Sequence, residues 1–503
     1  MTCCPHTPGP AASGRAPARP FDAPGAGIQR LPLYACQAAV SRHALLRVAD
    51  GPRARLWLRG LLQQGLLSCA QVGQRGEAQA GAAQALNLGL SQAGLQALQL
   101  APALLATLKA KAPAFSQGAV PRAARQLGDT GDNAAYRWEP CFAPAQAHLL
   151  LSQHAPDLAT LDRCWAALQQ LPGADALQGW AAAAHDGAHL GNPAAPVVHF
   201  GYRDGLSNPR MTGLHGSGPQ AHRPGELLLG HDNDDGYNPW RLADQPLAAG
   251  FFGNASFGAF RKIAQHERAF RSYIAHNATA LGRNLDWVMA KLCGRWPDGR
   301  LLLPDGVAEP PAAALANKAQ DFNFAHDPAG HGCPLGAHIR RMNPRSDPLA
   351  QRRLRPLMRR GMPYGPAYAG APGDDDTPRG LLGLFFCASL EDQFEHLLGE
   401  WANKTPMGPD HQGRAKDPLI GQHDDPAATL HLPAAAPAAA QRLGGLTPFV
   451  STRGTAYLIY LTQPALQALA DGTAGVVGVV GTAGVVGAVG AVGPGQAGLA
   501  AGR

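Results

Sequence analysis

The chain of 503 residues is long enough for two large domains or one double domain. It is 45% hydrophobic and 16% charged, as is typical of a soluble globular protein, and its formal net charge of +7 is only mildly basic. Its basic residues form no stripe with interleaved aromatic side chains, which argues against a nucleic-acid-binding protein.

The cysteines and the first residues bear on the compartment. Nine cysteines are present, and no two of them form a CxxC pair. We therefore expect reduced, mostly buried thiols instead of a disulfide framework or a cysteine-ligated metal site. The N-terminus has neither a charged segment followed by an apolar one nor a twin-arginine pair, so we expect no secretory signal and a cytoplasmic protein.

The two ends of the chain differ from the rest in composition. Residues 1–26 are rich in Pro, Ala and Gly, which predicts a disordered segment. Within residues 466–503, the run from Gly472 to Gly502 is almost entirely Gly, Ala and Val. Its many glycines and few large apolar side chains predict a low-complexity tail and argue against a membrane span.

Between these ends, strand-like and helix-like patterns alternate. Residues 43–49 predict a strand, residues 52–64 predict a helix, and the short apolar run 226–229 predicts another strand.

The C-terminal part continues this alternation. The apolar run 381–388 predicts a strand buried on both faces, and Ser389 is a plausible cap for the helix that follows. The polar, Pro-rich residues 411–448 predict a long surface loop, and residues 455–461 predict a last strand. Strands and helices are mixed throughout, so the predicted fold class is α+β.

Three segments combine residue types that could carry chemistry. Residues 199–209 read HFGYRDGLSNP, residues 333–345 read CPLGAHIRRMNPR, and residues 357–365 read LMRRGMPYG. Taken singly, each is explained by tight turns or a solvated basic loop. Imidazole is also a good ligand for iron, and neighbouring arginines suit anionic groups.

Together, these segments resemble the three signature motifs of the dye-decolorizing peroxidases, and they occur in that family's order. The first resembles its GxxDG motif, the second its proximal-ligand motif and the third its distal-arginine motif RxGxPYG. The resemblance covers roughly residues 27–463. It implies two ferredoxin-like α+β halves that enclose one haem b. Residues 27–215 would carry the GxxDG motif, and residues 216–465 the other two.

The resemblance implies that His338 is the proximal axial ligand of the haem iron. The second ring nitrogen of such a ligand needs an acceptor that fixes the tautomer. Glu391, in a segment that resembles the family's E-x-Q-F-E, is the first candidate, and Asp392 and Glu395 are alternatives. An acidic first turn, favoured by the helix dipole, explains all three equally simply.

Two further residues are assigned to the distal side by the same resemblance. Asp204 would transfer the proton of bound peroxide as general base and then acid. Arg359 would stabilise the negative charge that develops on the O–O bond. The family places this arginine two positions before the glycine, which selects Arg359 over Arg360, and Arg360 is expected to point outward.

Four residues are candidates for contact with the haem. Arg340 and Arg345 could bind its propionates, although surface solvation explains them as well. Leu384 and Phe386 could face it from the predicted strand 381–388, although a place in the core explains both equally.

The function implied is that of a peroxidase, an oxidoreductase that uses hydrogen peroxide to oxidise bulky aromatic or dye-like donors. Removal of iron from haem and a non-catalytic haem carrier or sensor are alternatives. A carrier would need His338 and the pocket only, so the presence of both Asp204 and Arg359 favours chemistry. No nucleic-acid or membrane partner is expected, and the sequence leaves homo-oligomerisation open.

Overall fold

The computed structural model describes residues 27–474, apart from nine short gaps. The gaps are 71–82, 193–194, 216–219, 304–321, 346–352, 371–373, 375–376, 405–415 and 435–436. The predicted disorder of residues 1–26 and most of the predicted tail lie outside the described residues. Residues 466–471, assigned to that tail from the sequence, instead belong to a helix, Gln463–Asp471.

The described residues form thirteen strands and thirteen helices, with several single turns of 3-10 or wider helix between them. The strands are β1 Val40–Val48, β2 Ala85–Leu90, β3 Leu149–Ala155, β4 Leu177–Gln178, β5 Ala184–Ala188, β6 Arg210–Met211, β7 Ala221–His222, β8 Ser256–Gln265, β9 Met358–Tyr364, β10 Gly380–Cys387, β11 Thr429–Leu432, β12 Gln441–Gly444 and β13 Val450–Tyr460.

The helices are α1 Arg30–Leu33, α2 Gly51–Gln63, α3 Gln92–Ala97, α4 Pro102–Lys111, α5 Pro113–Gln117, α6 Leu158–Gln169, α7 Pro246–Phe252, α8 Glu267–Leu281, α9 Leu285–Cys293, α10 His338–Met342, the two wide helical segments α11 Leu390–Glu395 and α12 Leu397–Ala402, and α13 Gln463–Asp471. The single turns are Val120–Arg122, Ala123–Leu127, Gly131–Asn133, Ala135–Arg137, Pro140–Phe142, Ala174–Ala176 and Pro224–Glu226.

Nine strands form one sheet in the order β4-β1-β3-β2-β13-β8-β10-β9, with β5 also paired to β1, and all its pairings are antiparallel. In each half the chain runs β-α-β-β-α-β, and within each half the last strand lies beside the first. The halves join where β2 pairs with β13. This is the ferredoxin-like pattern used twice, so the predicted α+β class and paired ferredoxin-like halves are confirmed.

The ends of this sheet curl towards each other. Gly187 in β5 lies so close to β9 that a Cβ there would lie 3.0 Å from the carbonyl oxygen of Pro363. Inside the curl, the rings of His43 in β1 and Phe260 in β8 meet at a centroid distance of 5.4 Å, although three strands separate β1 from β8 in the sheet. The sheet therefore encloses a barrel-like interior in which side chains of both halves meet.

Most of the predicted elements are found, but two predictions are wrong. Residues 226–229 form no strand: Glu226 ends the single helical turn Pro224–Glu226, and the three leucines after it pack into the core as an irregular segment. The predicted loop 411–448 contains the hairpin β11–β12, whose buried leucines Leu430, Leu432 and Leu443 belong to the second hydrophobic cluster. Ser389 caps α11 as predicted, accepting a hydrogen bond from the amide of Asp392 at 3.1 Å. Among the described residues, no helix is both long and apolar enough to cross a bilayer.

A buried ion pair ties the N-terminal half to the central strands. The guanidinium of Arg261 in β8 donates to both carboxylate oxygens of Asp129, at 2.8 and 2.6 Å. The hydroxyls of Thr452 and Thr455 in β13 accept from the same guanidinium at 2.7 and 2.8 Å. Both carboxylate oxygens and both terminal guanidinium nitrogens have partners. Removing one member of the pair would therefore leave an uncompensated buried charge.

We therefore expect Asp129→Ala to lower the free energy of unfolding by about 3–5 kcal/mol, measured by urea titration. Asp132→Ala is the matched control, because Asp132 is 83% exposed in its contact with Arg137 and its loss should cost less than about 1 kcal/mol. Equal effects of the two changes would contradict a special role for the buried pair.

Two buried histidines make stability depend on pH. His43 and His154 pack edge to face at 5.4 Å inside the barrel, and the His43 Nδ1 lies 3.0 Å from the hydroxyl of Ser152. Burial, with smaller contributions from His189 and Arg360, lowers the pKa of His154 to about 4. Burial also lowers the pKa of His43 well below its usual value.

Between pH 6.5 and 4 the unfolded chain binds protons at these histidines that the folded chain does not. We therefore expect the free energy of unfolding to fall as the pH drops through this window, by roughly 3 kcal/mol for His154 alone. Urea titrations at several pH values should show a shallower slope for His154→Gln. Replacing His276, which is exposed, by Gln should leave the slope unchanged; an unchanged slope in His154→Gln would contradict this explanation.

Candidate functional site

His338 is the first residue of the short helix α10 and is 23% exposed at its side chain. Its Nδ1 lies 2.9 Å from Oδ2 of Asp417, which has no exposed surface. A carboxylate at Nδ1 fixes the proton there and leaves Nε2 as the nitrogen that can bind a metal. His338 therefore has the arrangement that an axial ligand needs.

The Asp417 carboxylate is held on both oxygens. Its Oδ1 accepts hydrogen bonds from the amides of Leu419 and Ile420, at 2.9 and 3.0 Å, in an Asx turn. Burial acts to raise the pKa of Asp417, but His338, Arg341 and the Ile420 amide outweigh it and lower the pKa below its usual value. Asp417 is thus an anion positioned for His338, and its Asp-Pro-Leu-Ile-Gly turn was the sequence signal that could have found it.

The prediction that Glu391 accepts from the proximal histidine is wrong, and so are its two alternatives. Glu391 accepts from the amide of Ala114 at 2.5 Å. Glu395 accepts from Arg122 at 2.6 Å through each oxygen, and Asp392 is 57% exposed. The reason is geometric, because the buried acids of α11 face helices of the N-terminal half and bind them instead.

Asp204 and Arg359 come together from two halves of the chain. The loop after Asp204 holds Arg359 directly: Asn208 Oδ1 accepts from its amide at 2.8 Å, and the carbonyl oxygen of Ser207 accepts from its guanidinium. Burial lowers the pKa of Arg359, and the Asp204 carboxylate opposes this effect. Sequence reasoning missed that Ser207 and Asn208 position the arginine.

Arg359 is exposed. Its sequence neighbour Arg360, expected to point outward, donates instead to the carbonyl oxygens of Leu31 and Leu33, at 3.1 and 3.0 Å.

Further arginines surround this region. The guanidinium of Arg345 lies 4.0 Å from the ring centre of Phe322, and that of Arg295 lies 5.1 Å from the same ring. Burial lowers the pKa of Arg295; the thiol of Cys333 is among the groups that oppose this, and Arg359 adds to it. Arg295, which sequence reasoning missed, therefore lies between the distal pair and the segment that carries His338.

The prediction that Arg340 contacts a propionate is wrong. Its side chain has no exposed surface and donates to the carbonyl oxygen of Cys333 at 2.8 Å and to Asp327 at 3.4 Å. Its guanidinium also lies 4.5 Å from the ring centre of Phe324. Arg340 thus organises the loop before His338 from inside the protein.

Strand register also contradicts the placement of Leu384 and Phe386. In the β9–β10 pair, Phe385 lies opposite Arg359, whereas Leu384 and Phe386 lie opposite Arg360 and Met358. Directly paired residues share a face, so Leu384 and Phe386 point away from Arg359 into the core, where both are at most 2% exposed.

The described residues fit a haem. His338 offers an imidazole whose other nitrogen is paired to a carboxylate, as axial ligands of haem require. Arg295 and Arg345 supply positive charge that suits propionates.

Comparison with protein-family models gives no match. The chain is 29% identical over 408 residues to a dye-decolorizing peroxidase of Exidia glandulosa, covering 76% of this chain and 75% of that protein. It is 30% identical over 375 residues to Peroxidase 2 of Mycetinis scorodonius, covering 67% and 66%. A solved dye-decolorizing peroxidase in complex with 2,6-dimethoxyphenol matches with a TM-score of 0.70 at 23% identity, over 88% of this chain and 99% of that chain.

We expect Asp417→Asn to weaken haem binding by roughly 10- to 100-fold, because the amide no longer carries the charge that fixes the tautomer and basicity of His338. Competition for haem with apomyoglobin measures this affinity. Glu391→Gln is the matched control and should bind haem as the unaltered protein does, since Glu391 contacts Ala114 instead. The reverse order of effects would contradict the pairing seen here.

Proposed function

The chain belongs to the dye-decolorizing peroxidase family, and from this premise we propose that His338, Asp204 and Arg359 carry out its peroxide-dependent oxidation of donors. The observation that carries the proposal is the joint position of Asp204 and Arg359, since the loop that follows one holds the other through Ser207 and Asn208. A haem carrier has no use for such a pair.

We propose haem b as the cofactor, with His338 as its axial ligand. The chain has no CxxC pair and thus no c-type attachment motif, which supports non-covalent binding. Arg345 and Arg295 are the residues that would hold its propionates. Bound haem supplies the redox chemistry, while the protein supplies ligation, proton transfer and polarity.

On the distal side, hydrogen peroxide has to lose a proton from one oxygen and gain one on the oxygen that leaves as water. The Asp204 carboxylate is of the right type to accept the first proton and to return it to the leaving oxygen. Arg359 remains charged at neutral pH and stabilises the negative charge that grows on that oxygen. Its contacts with Ser207 and Asn208 fix it before peroxide enters, so no reorganisation is needed during the step.

For the donor, we propose aromatic or dye-like compounds. The support comes from a solved relative, a dye-decolorizing peroxidase whose complex contains the phenolic compound 2,6-dimethoxyphenol. Hydrogen peroxide and such a donor would be the two partners of the reaction.

Stopped-flow mixing of the haem-loaded protein with hydrogen peroxide, followed at the Soret band with and without an anthraquinone dye, tests these roles. We expect a rapid spectral change and dye bleaching. Asp204→Asn should slow the reaction with peroxide by roughly 10²–10⁴-fold, and Arg359→Leu by roughly 10²–10³-fold. His338→Ala should lose the spectrum of the ligated haem.

Asp232→Asn is the matched control, because Asp232 is exposed and lies 3.4 Å from Arg241 in a surface loop. Its rate should equal that of the unaltered protein. Unchanged rates in both distal variants would refute the assigned roles, and haem binding without any peroxide reaction would instead establish a carrier.

A further inference from the structure

A second group of metal-ligating side chains lies near the seam where the sheet curls on itself. Glu139 directly precedes the single turn Pro140–Phe142, Cys141 lies within that turn, and His185 belongs to β5. One potential ligand atom of each lies within 4.8 Å of the others, the one such trio found in the described ranges of the chain. The adjacent Tyr364 is the last residue of β9, about 17 Å along that strand from Arg359, so the group is separate from the distal pair.

The spacing of these atoms suits tetrahedral coordination. Cys141 Sγ lies 3.6 Å from His185 Nε2. Two ligands at the zinc–sulfur and zinc–nitrogen bond lengths of about 2.3 and 2.05 Å, at a tetrahedral angle, are separated by about 3.5 Å. The third ligand, Glu139 Oε2, lies 3.8 Å from the other ring nitrogen of His185 and would reach the metal by rotation of its carboxylate.

Lys262 in β8 opposes a cation here. Its ammonium lies 2.7 Å from Glu139 Oε1 and 3.3 Å from His185 Nδ1. The contact with Oε1 leaves Oε2 available, and a ligating carboxylate normally has its second oxygen hydrogen-bonded in this way. Its positive charge near the imidazole nevertheless weakens the binding of a cation. If a metal binds here, removal of this charge must increase the metal affinity, whereas an ordinary salt bridge predicts no such increase.

We propose that Glu139, Cys141 and His185 bind one zinc ion, with water as the fourth ligand, and thereby join β5 to the turn before β3. Zinc is the cation that fits one thiolate, one imidazole and one carboxylate in tetrahedral geometry. The absence of paired cysteine spacing hid these ligands from sequence reasoning, because 44 residues separate Cys141 from His185.

The test uses the haem-loaded protein with reduced thiols, dialysed against buffered zinc. We expect one zinc per haem by mass spectrometry, and zinc-edge X-ray absorption with one sulfur at about 2.3 Å and nitrogen or oxygen at about 2.0–2.1 Å. Zinc well below one per haem, or zinc without a sulfur neighbour, would overturn the proposal. This measurement needs no variant and is independent of peroxidase activity.

Variants then locate the zinc. Cys141→Ser and His185→Gln should each weaken zinc binding by roughly 10-fold or more, whereas Cys164→Ser and His276→Gln, matched changes elsewhere, should leave it unchanged. Lys262→Met should strengthen it by removing the nearby charge. Full zinc affinity in both Cys141→Ser and His185→Gln, or no gain in Lys262→Met, would contradict the assignment. Unchanged thermal unfolding midpoints of the zinc-free variants serve as the folding control.

Discussion

The pairing of His338 with Asp417 is the interaction on which the candidate site depends. A carboxylate without exposed surface keeps its charge only when specific partners replace water, and Asp417 has two amides on one oxygen and an imidazole on the other. The same bond determines which imidazole nitrogen can bind iron. The tautomer of His338 and its basicity thus follow from one contact. The 417–421 turn, predicted as part of a long surface loop, holds the buried carboxylate that makes this contact.

The proposed site draws on both halves of the molecule. The first half would contribute the Asp204 region, and the second His338 and Arg359, so neither half would have a complete site by itself. The halves are held together by buried charge as well as by the β2–β13 pairing: Asp129 is bound to Arg261, and Glu395 is bound to Arg122. Such pairs contribute specificity of docking as much as stability, because any other alignment of the halves leaves a charge buried alone.

Motif resemblance predicted the architecture and the proposed ligand and distal residues. Sequence reasoning failed where a residue's role depends on the direction in which its side chain points. For Leu384 and Phe386, burial was predictable but the face was not, because face depends on the register with β9. For Arg340 and Glu391, residue type suggested one contact, but the folded chain places other partners beside them. Arg340 donates to the carbonyl oxygen of Cys333, and Glu391 accepts from the amide of Ala114. Asp417 lies 79 residues from His338. The Asp-Pro-Leu-Ile-Gly turn could mark Asp417 as notable, but no local spacing identifies His338 as its partner. Local patterning predicted strands well, but it misread the apolar run 226–229, where leucines serve packing without pairing.

Strand alternation gives Arg359 and Arg360 opposite surroundings, one held by Ser207 and Asn208 and the other by the carbonyls of Leu31 and Leu33. The face that each arginine takes therefore depends on whether an odd or an even number of residues separates it from the paired end of β9. Gain or loss of one residue between Arg359 and the Tyr364–Gly380 pair would exchange the two guanidinium groups, while a change of two residues would preserve their faces. Such an exchange leaves the number of arginines in β9 unchanged. It can be recognised only from whether the number of residues from the arginine to Tyr364 is odd or even.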